Sequence, residues 1–472
     1  MLNSADEGFV ATLTSELGAD LLRPVSQHYL QEPRGNIIGR AGVVTAPRNA
    51  DEVAAIVKLC NRARVGIVPF GGGTGLVGGQ VAPDGPVPLV LSMERLDQIR
   101  AVYPEENVIV AEAGAILENV QSAAAAQRRL FPLSLASQGS CRIGGNLSTN
   151  AGGLNVLRYG NARELCLGLE VVLPNGDIWH GLSRLRKDNT GYDLRHLLIG
   201  AEGTLGIITA ASLKLFARPT QAGTAMMTVA DPSAAVTLLA LARDLVGEGV
   251  STFELISGVG YAFLAETMPE VRRPLAGDPQ WSVLIDLGLS AGLDPGRALE
   301  AIFEQGVERG LVSDGIIAQS EAQRAELWAV REQIPEANRR TGAIFSTDIS
   351  VPISRIAEVI ERGTTKIAQL GELRVNAFGH VGDGNLHFNV FPPLGRSRDQ
   401  FSALKQDISQ AIYDLVSELD GSFSAEHGIG RIKVETLETY GSPAKLTAMR
   451  SIKAALDPNG IMNPGAVLRA GQ

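Results

Sequence analysis

The sequence predicts an α+β protein with an N-terminal domain, a second domain and a C-terminal segment. Three observations carry this. A chain of 472 residues exceeds what one hydrophobic core encloses. In its first half, strand-length apolar runs open directly into clusters drawn from 53 glycines, which marks places where backbone must approach something closely. After Pro219 the pattern becomes strand-like runs alternating with helical ones, as in helices laid on one face of an antiparallel sheet. The boundaries are set at 1–217 (core about 37–217), 218–420 and 421–472.

The first thirty-odd residues read as a short helix and an arm. Asn49 then caps a helix whose Val53, Ile56, Val57 and Cys60 share one face. Strands follow at 65–70, 87–93 and 107–113, and the Ala-rich run 123–126 is good helix sequence. Strands 167–173 and 177–180 flank a Pro-Asn-Gly turn, and 206–216 is another strand. In the second domain, strands at 225–229, 252–256, 282–287 and 311–317 alternate with helices at 232–245 and 295–309. Strands at 343–351, 373–380 and 386–391 come next, and a last helix, 443–456, stops at Asp457-Pro458-Asn459-Gly460.

Composition removes several function classes. A net charge of −9 argues against nucleic-acid binding, which needs a basic surface, although a local positive site remains compatible with an anionic substrate. Cys60, Cys141 and Cys166 have neither metal nor redox spacing, which argues against a disulfide framework, and a reducing compartment fits. The acidic N-terminus lacks the pattern of a signal peptide, and no apolar run is long enough to span a bilayer. The reading is of a soluble, cytoplasmic protein.

Three glycine-rich stretches carry the first chemical signal. PFGGGTGLVGG (69–79) directly follows a strand, and consecutive glycines let N–H groups curl into a nest for an anion. It is neither a Walker loop nor the Rossmann fingerprint. GSCRIGGNLSTNAGG (139–153) interleaves Ser, Asn and Thr with glycine, and IGAEGTLGIIT (199–209) is a third such site. Together they suit a large phosphate-bearing cofactor with several parts to hold.

These stretches resemble the FAD-binding domain of the vanillyl-alcohol oxidase and p-cresol methylhydroxylase superfamily. RKDNTGYDL (186–194), GHVGDGNLHFNV (379–390), SAEHGIG (424–430) and DPNGIMNPG (457–465) are similar to motifs of FAD-linked D-2-hydroxyacid dehydrogenases, the D-2-hydroxyglutarate enzymes first and the D-lactate enzymes next. The resemblance covers about 41–468. It implies a two-subdomain FAD-binding domain of the p-cresol methylhydroxylase type, a ferredoxin-like substrate or cap domain carrying a metal hairpin, and a helical C-terminal segment returning to the flavin. It implies that Pro69, Gly71, Gly72, Gly73, Thr74 and Gly75 cradle the pyrophosphate. Pro132, Leu133, Gly139, Ser140, Gly144, Gly145, Asn146, Thr149 and Gly153 would line the second loop. Glu202, Gly203 and Ile208 would hold the adenosine end, and Asn463 would return to the flavin. Some relatives attach the flavin through a histidine in the first loop. Thr74 at the end of this glycine run implies non-covalent FAD.

Histidines carry the second signal. If Gly382 to Asn385 form a turn, His380 and His387 face each other across a hairpin, with Cβ atoms about 4.5–5.5 Å apart. Two imidazoles at that distance suit one metal ion, and Glu426 offers a third ligand with a coordination position left open. Zinc is the first expectation, then manganese, iron or cobalt. Asn389 falls on the same strand face as His387 and is counted with the catalytic residues. An unperturbed histidine titrates near neutrality, and His427 is read as the acceptor of the substrate hydroxyl proton, with support of the metal ligands as the alternative role.

By the resemblance, Arg331 grips a substrate carboxylate; a solvated helix arginine is the competing reading. Pro335 and Ser346 depart from the threonine and lysine common among the hydroxyglutarate enzymes. The expected reaction is oxidation of D-2-hydroxyglutarate to 2-oxoglutarate with hydride passing to flavin N5. D-lactate, D-malate and a glycolate-oxidase-like subunit are the alternatives. Preference for the D form rests on the resemblance alone. An electron-transferring flavoprotein, a quinone or a cytochrome would take the electrons, and a homodimer stays open. The rival readings are a metal-dependent hydrolase, which would be colourless, and a flavin-containing docking subunit, which no hydroxy acid would bleach.

Overall fold

The computed structural model describes residues 1–470. The chain folds into two compact units. The first takes Met1–Gly153, Gly160–Arg218 and the chain from Glu426 onward; the second takes Leu154–Tyr159 and Pro219–Ala425. Residues 154–159 thus leave the N-terminal domain assigned to them from sequence. Thr252 Oγ1 donates to the Leu154 carbonyl (3.1 Å) and Arg158 donates to Ser251 Oγ (3.0 Å), which ties the stretch to a strand of the second unit. Among the described residues no helix is long and apolar enough to cross a membrane.

The first unit holds a four-stranded and a five-stranded sheet. In the smaller, Val43–Thr45, Leu89–Ser92 and Ile67–Phe70 run parallel, with Leu22–Arg23 antiparallel at one edge. Helix Ala50–Ala63 begins at Asn49, whose side chain accepts from the Glu52 N–H, and it buries Val53, Ile56, Val57 and Cys60. The larger sheet is antiparallel, in the order Ile99–Tyr103, Val108–Glu112, Ile207–Lys214, Cys166–Val172, Ile178–Gly181.

The second unit contains an antiparallel sheet in the order Val250–Ser257, Trp281–Leu289, Gln221–Val229, Val312–Ile317. Both of its faces are covered. Met227, Val283 and Ile285 join one apolar cluster with Leu238 and Leu299, while Met226 and Leu284 join another with Leu264 and Val330. This corrects the one-face layout. Its physical cause is legible in hindsight, because Val283 to Leu287 is nearly continuous in apolar residues rather than alternating. A three-stranded sheet, Phe345–Ser350, Asn385–Phe391, Arg374–Phe378, completes the unit. Elements outside the sequence reading include strands Val43–Thr45 and Ile99–Tyr103 and helices Gly258–Thr267, Glu321–Thr341, Ile356–Ala368 and Lys405–Glu418. Glu321–Thr341 continues through Pro335, a residue that ordinarily ends a helix and that leaves the Arg331 carbonyl without its N–H partner.

The Asp457 turn shows why the last helix stops where it does. Buried Asp457 accepts from the N–H groups of Ile461 (3.0 Å) and Met462 (2.8 Å) and from Lys453 Nζ (2.6 Å). Asp457→Ala strips all three donors at once and leaves the Lys453 ammonium without its carboxylate. We expect a loss of about 2–3 kcal/mol, discounted for the partial exposure of Lys453, read as an earlier unfolding transition in a urea titration.

Candidate active site

The first unit contains a cavity walled by the glycine stretches. Pro69, Gly71, Gly72, Gly73, Thr74 and Gly75 line it, and so do Gly144, Gly145, Asn146, Thr149, Glu202, Gly203, Ile208 and Asn463. The loop packs so closely that a Cβ on Gly72 would stand 2.2 Å from the Ser140 carbonyl oxygen and 2.9 Å from Cys141 Cα. Gly145 has the opposite surroundings: a Cβ there would meet no protein atom within 4 Å. One glycine lets loops meet, and the other keeps the cavity open. Among the described residues Arg142 is the one cationic side chain on the wall.

Five expected contacts fall outside this wall. Leu133 is buried beneath the loop, its carbonyl accepting from Gln121 Nε2 (2.7 Å). Ser140 offers its carbonyl to the packing of Gly72, and the Gly153 N–H donates to Glu426 (2.7 Å). Pro132 and Gly139 also stand off the cavity. The sequence pattern cannot separate a glycine that lines a cavity from one that lets two loops touch.

Glu202 does more than line the wall. Its two carboxylate oxygens accept the N–H groups of Ile429 (2.7 Å) and Gly430 (2.8 Å), and burial raises its pKa despite those bonds. Arg431, absent from the sequence reading, donates to the carbonyls of Gly78 (3.1 Å), Gly79 (3.0 Å) and Pro464 (3.0 Å) and to Asn463 Oδ1 (2.8 Å). Asn463 in turn donates to Gly79 (2.9 Å) and Glu202 (2.8 Å). Glu426 and His427 begin this returning segment of the first unit.

The second unit holds His380 and His387. The register pairs His387 with Phe378 on one neighbouring strand and with Asp348 on the other. His380 is therefore not the cross-strand partner of His387. It sits on the connecting turn, Val381–Asp383 being a 3-10 segment, and the strand ends at Phe378 because Gly379 bridges instead to Leu255. The two rings still meet edge to face, with centroids 5.5 Å apart. Asn389 lies on the same strand face as His387, opposite Asn376 and Ser346, and its side chain accepts from the Thr347 N–H (3.3 Å).

Glu254 is the residue sequence reasoning missed. It lies in a strand that is buried along its whole length and is itself 1% exposed. One carboxylate oxygen contacts His380 Nδ1 at 2.7 Å, and the other accepts from Arg331 Nε at 2.7 Å. Burial opposes the charge on Glu254, but His380 and Arg331 outweigh it and hold the carboxyl well below its ordinary range. An ionised carboxylate only accepts hydrogen bonds, so His380 Nδ1 is assigned the proton of this bond. Arg331 is buried, over the Phe378 ring at 5.0 Å, which excludes a solvated helix arginine. Its terminal nitrogens have no hydrogen-bond partner among the described residues.

Comparisons with known proteins agree with this layout. The FAD binding domain model matches residues 41–181, and that of the C-terminal domain of FAD linked oxidases matches residues 218–467. Fold and cavity thus define a flavoprotein of the FAD-linked oxidase class, with FAD as its cofactor. A protein of Oryza sativa subsp. japonica named probable D-2-hydroxyglutarate dehydrogenase, mitochondrial, is 36% identical over 99% of this chain and 82% of its own length. One of Xanthomonas citri pv. viticola named D-2-hydroxyglutarate dehydrogenase is 38% identical over 89% of this chain and 88% of its own. The structure of p-cresol methylhydroxylase with substrate bound superposes with a TM-score of 0.77 at 16% identity, covering 99% of each chain. The chain belongs to the family of the FAD-linked D-2-hydroxyglutarate dehydrogenases. One expectation is overturned: the rice protein and other plant and animal relatives carry "mitochondrial" in their names, so the cytoplasmic reading is withdrawn.

The contrast between the two glycines is testable. Gly145→Leu should leave the melting temperature of the flavin-free protein unchanged while reducing FAD content. Gly72→Ala should lower both, because its clash is with backbone.

Proposed function

We propose that this protein oxidises D-2-hydroxyglutarate to 2-oxoglutarate, using non-covalent FAD and a divalent metal, zinc first. The observation that carries this is Glu254, held between His380 and Arg331. It joins a candidate metal ligand to a candidate carboxylate receptor in one buried unit. The names of the relatives supply the substrate, and the glycine-walled cavity that Gly145 keeps open suits a phosphate-bearing cofactor.

His380, His387 and Glu426 would hold the metal. The two rings are in contact, and Ala425, the residue before Glu426, donates its N–H to the Asp348 carbonyl (3.2 Å) opposite His387. Two imidazoles and a carboxylate suit zinc with a position left open. A metal there supplies Lewis acidity toward the 2-hydroxyl and its neighbouring carboxylate, and FAD supplies the hydride acceptor at N5.

The remaining steps belong to the chain. Arg331 directs its terminal nitrogens to a substrate carboxylate while Glu254 fixes its Nε, so a planar fork is oriented before substrate arrives. Glu254 also sets the His380 tautomer. His427 accepts the hydroxyl proton, and Asn389 offers its amide to the substrate from the His387 face. Thr74 in the glycine loop leaves no imidazole there for covalent attachment. An external carrier (an electron-transferring flavoprotein, a quinone or a cytochrome) would take the electrons that bound FAD would receive. Cys60, Cys141 and Cys166 are all buried and free. A homodimer is the proposed assembly.

A second reading has a specific observation behind it. Ser346 stands opposite Asn389, at the position aligned with a lysine in the hydroxyglutarate enzymes, so a distal carboxylate lacks that cation. D-lactate, which has no distal carboxylate, is the alternative substrate this favours, and relative kcat/KM values for D-2-hydroxyglutarate, D-malate and D-lactate decide between them.

Chelation should abolish turnover of D-2-hydroxyglutarate with an artificial acceptor while leaving the flavin spectrum intact, and added zinc or manganese should restore it. Unchanged turnover in fully demetallated enzyme would contradict the metal's role. Glu254→Gln keeps the shape but not the charge; it should weaken metal binding by about 10–100-fold with FAD content unchanged, measured by chelator competition.

A further inference from the structure

Away from the flavin cavity, the first unit gathers cations around a second cavity of about 280 Å³. The two share no lining residue. Arg163, Arg186, Arg195 and Lys214 face it, against one carboxylate, Glu164, whose side chain already accepts from the Asn161 N–H (2.9 Å). The charges are only partly neutralised locally. Arg163 spends its donors on the carbonyls of His196 (2.5 Å) and Ile199 (2.9 Å). Arg195 reaches the Leu167 carbonyl (2.9 Å) and pairs with Asp193 (3.0 Å), while its buried Nε has no partner among the described residues. The ammonium of Lys214, at the end of strand Ile207–Lys214, has no hydrogen bond or ion pair among the described residues. Burial, then Arg186 and Arg195, lower its pKa. Like charges drawn together and partly desolvated cost free energy unless an anion enters.

The RKDNTGYDL stretch supplies Arg186, and helix Leu194–Leu198 directly after it supplies Arg195. Residues 184–193 are exposed and line no part of the flavin cavity, and apart from Asp193, which caps helix Leu194–Leu198, the motif has no other role in the first unit. We propose that this second cavity is a binding site for a small divalent oxyanion of the phosphate class, free or as the terminal group of a small phosphomonoester. Its volume lies at the small end for ligand pockets, about 300–1,000 Å³, which suits one such group. The Lys214 ammonium and the Arg186 guanidinium would make charge-assisted hydrogen bonds to its oxygens.

The test uses the FAD-loaded, full-length enzyme. Inorganic phosphate and methyl phosphate are titrated calorimetrically at constant pH and ionic strength, with chloride as the control, for wild type, Lys214→Met and Arg186→Gln. Phosphate should bind to wild type, and each variant should weaken it by about tenfold or more at unchanged flavin content. Tighter binding of methyl phosphate would point to an ester as the natural ligand, and tighter binding of phosphate to the free ion. Arg186 lies on an exposed stretch, so Arg186→Gln carries the test if Lys214→Met fails to fold. Equal affinity in wild type and a folded variant, or no phosphate binding by wild type, would overturn the site.

Discussion

The flavin cavity depends on a knot of three side chains, Glu202, Arg431 and Asn463. Glu202 accepts two N–H groups from a segment 227 and 228 positions away in sequence. Arg431 and Asn463 both return to the carbonyl of Gly79. A glycine loop has no side chains with which to hold its own shape, and its conformational freedom is large. The returning C-terminal segment supplies the restraint by binding the loop's carbonyls. Burying a carboxylate and a guanidinium is costly, as the raised pKa of Glu202 and the lowered pKa of Arg431 indicate. Hydrogen bonds to nearly every available oxygen offset that cost.

The same logic recurs in the second unit with a chemical purpose. A buried Arg–Glu pair is weak evidence of stabilisation, since two apolar residues would pack as well. Glu254 is distinguished by its third partner. Because it bonds both Arg331 and His380, neither can shift without exposing an unpaired charge in a site nearly closed to water. The arrangement fixes geometry before ligands arrive, which is what metal binding and carboxylate recognition both require.

Most regular elements were legible in the sequence, because their signals are local. Asn49, Asp231 and Asp294 cap helices that the sequence reading had already placed. The glycine loops were legible as cofactor-binding stretches but not residue by residue. Gly72 and Gly145 look alike in sequence, yet one prevents a backbone clash and the other opens a cavity. The histidine pair was found with the wrong register, since a turn that includes a 3-10 segment lets His380 leave the ladder while its ring stays beside His387. Glu254 was invisible because it is a single acidic residue in an otherwise ordinary strand, and its partners lie 77 and 126 positions downstream. Pro335 disguised the helix that carries Arg331. The cellular location was misread because the composition and N-terminal sequence used for it do not specify a compartment.

The most direct test of the central claim is the visible spectrum of the purified, metal-loaded protein under anaerobic conditions, recorded while D-2-hydroxyglutarate and then its L form are added. The account predicts a flavin spectrum that bleaches with the D form at one equivalent per flavin and is unmoved by the L form. A flavin that no 2-hydroxy acid reduces, in protein whose metal site is filled, would contradict it.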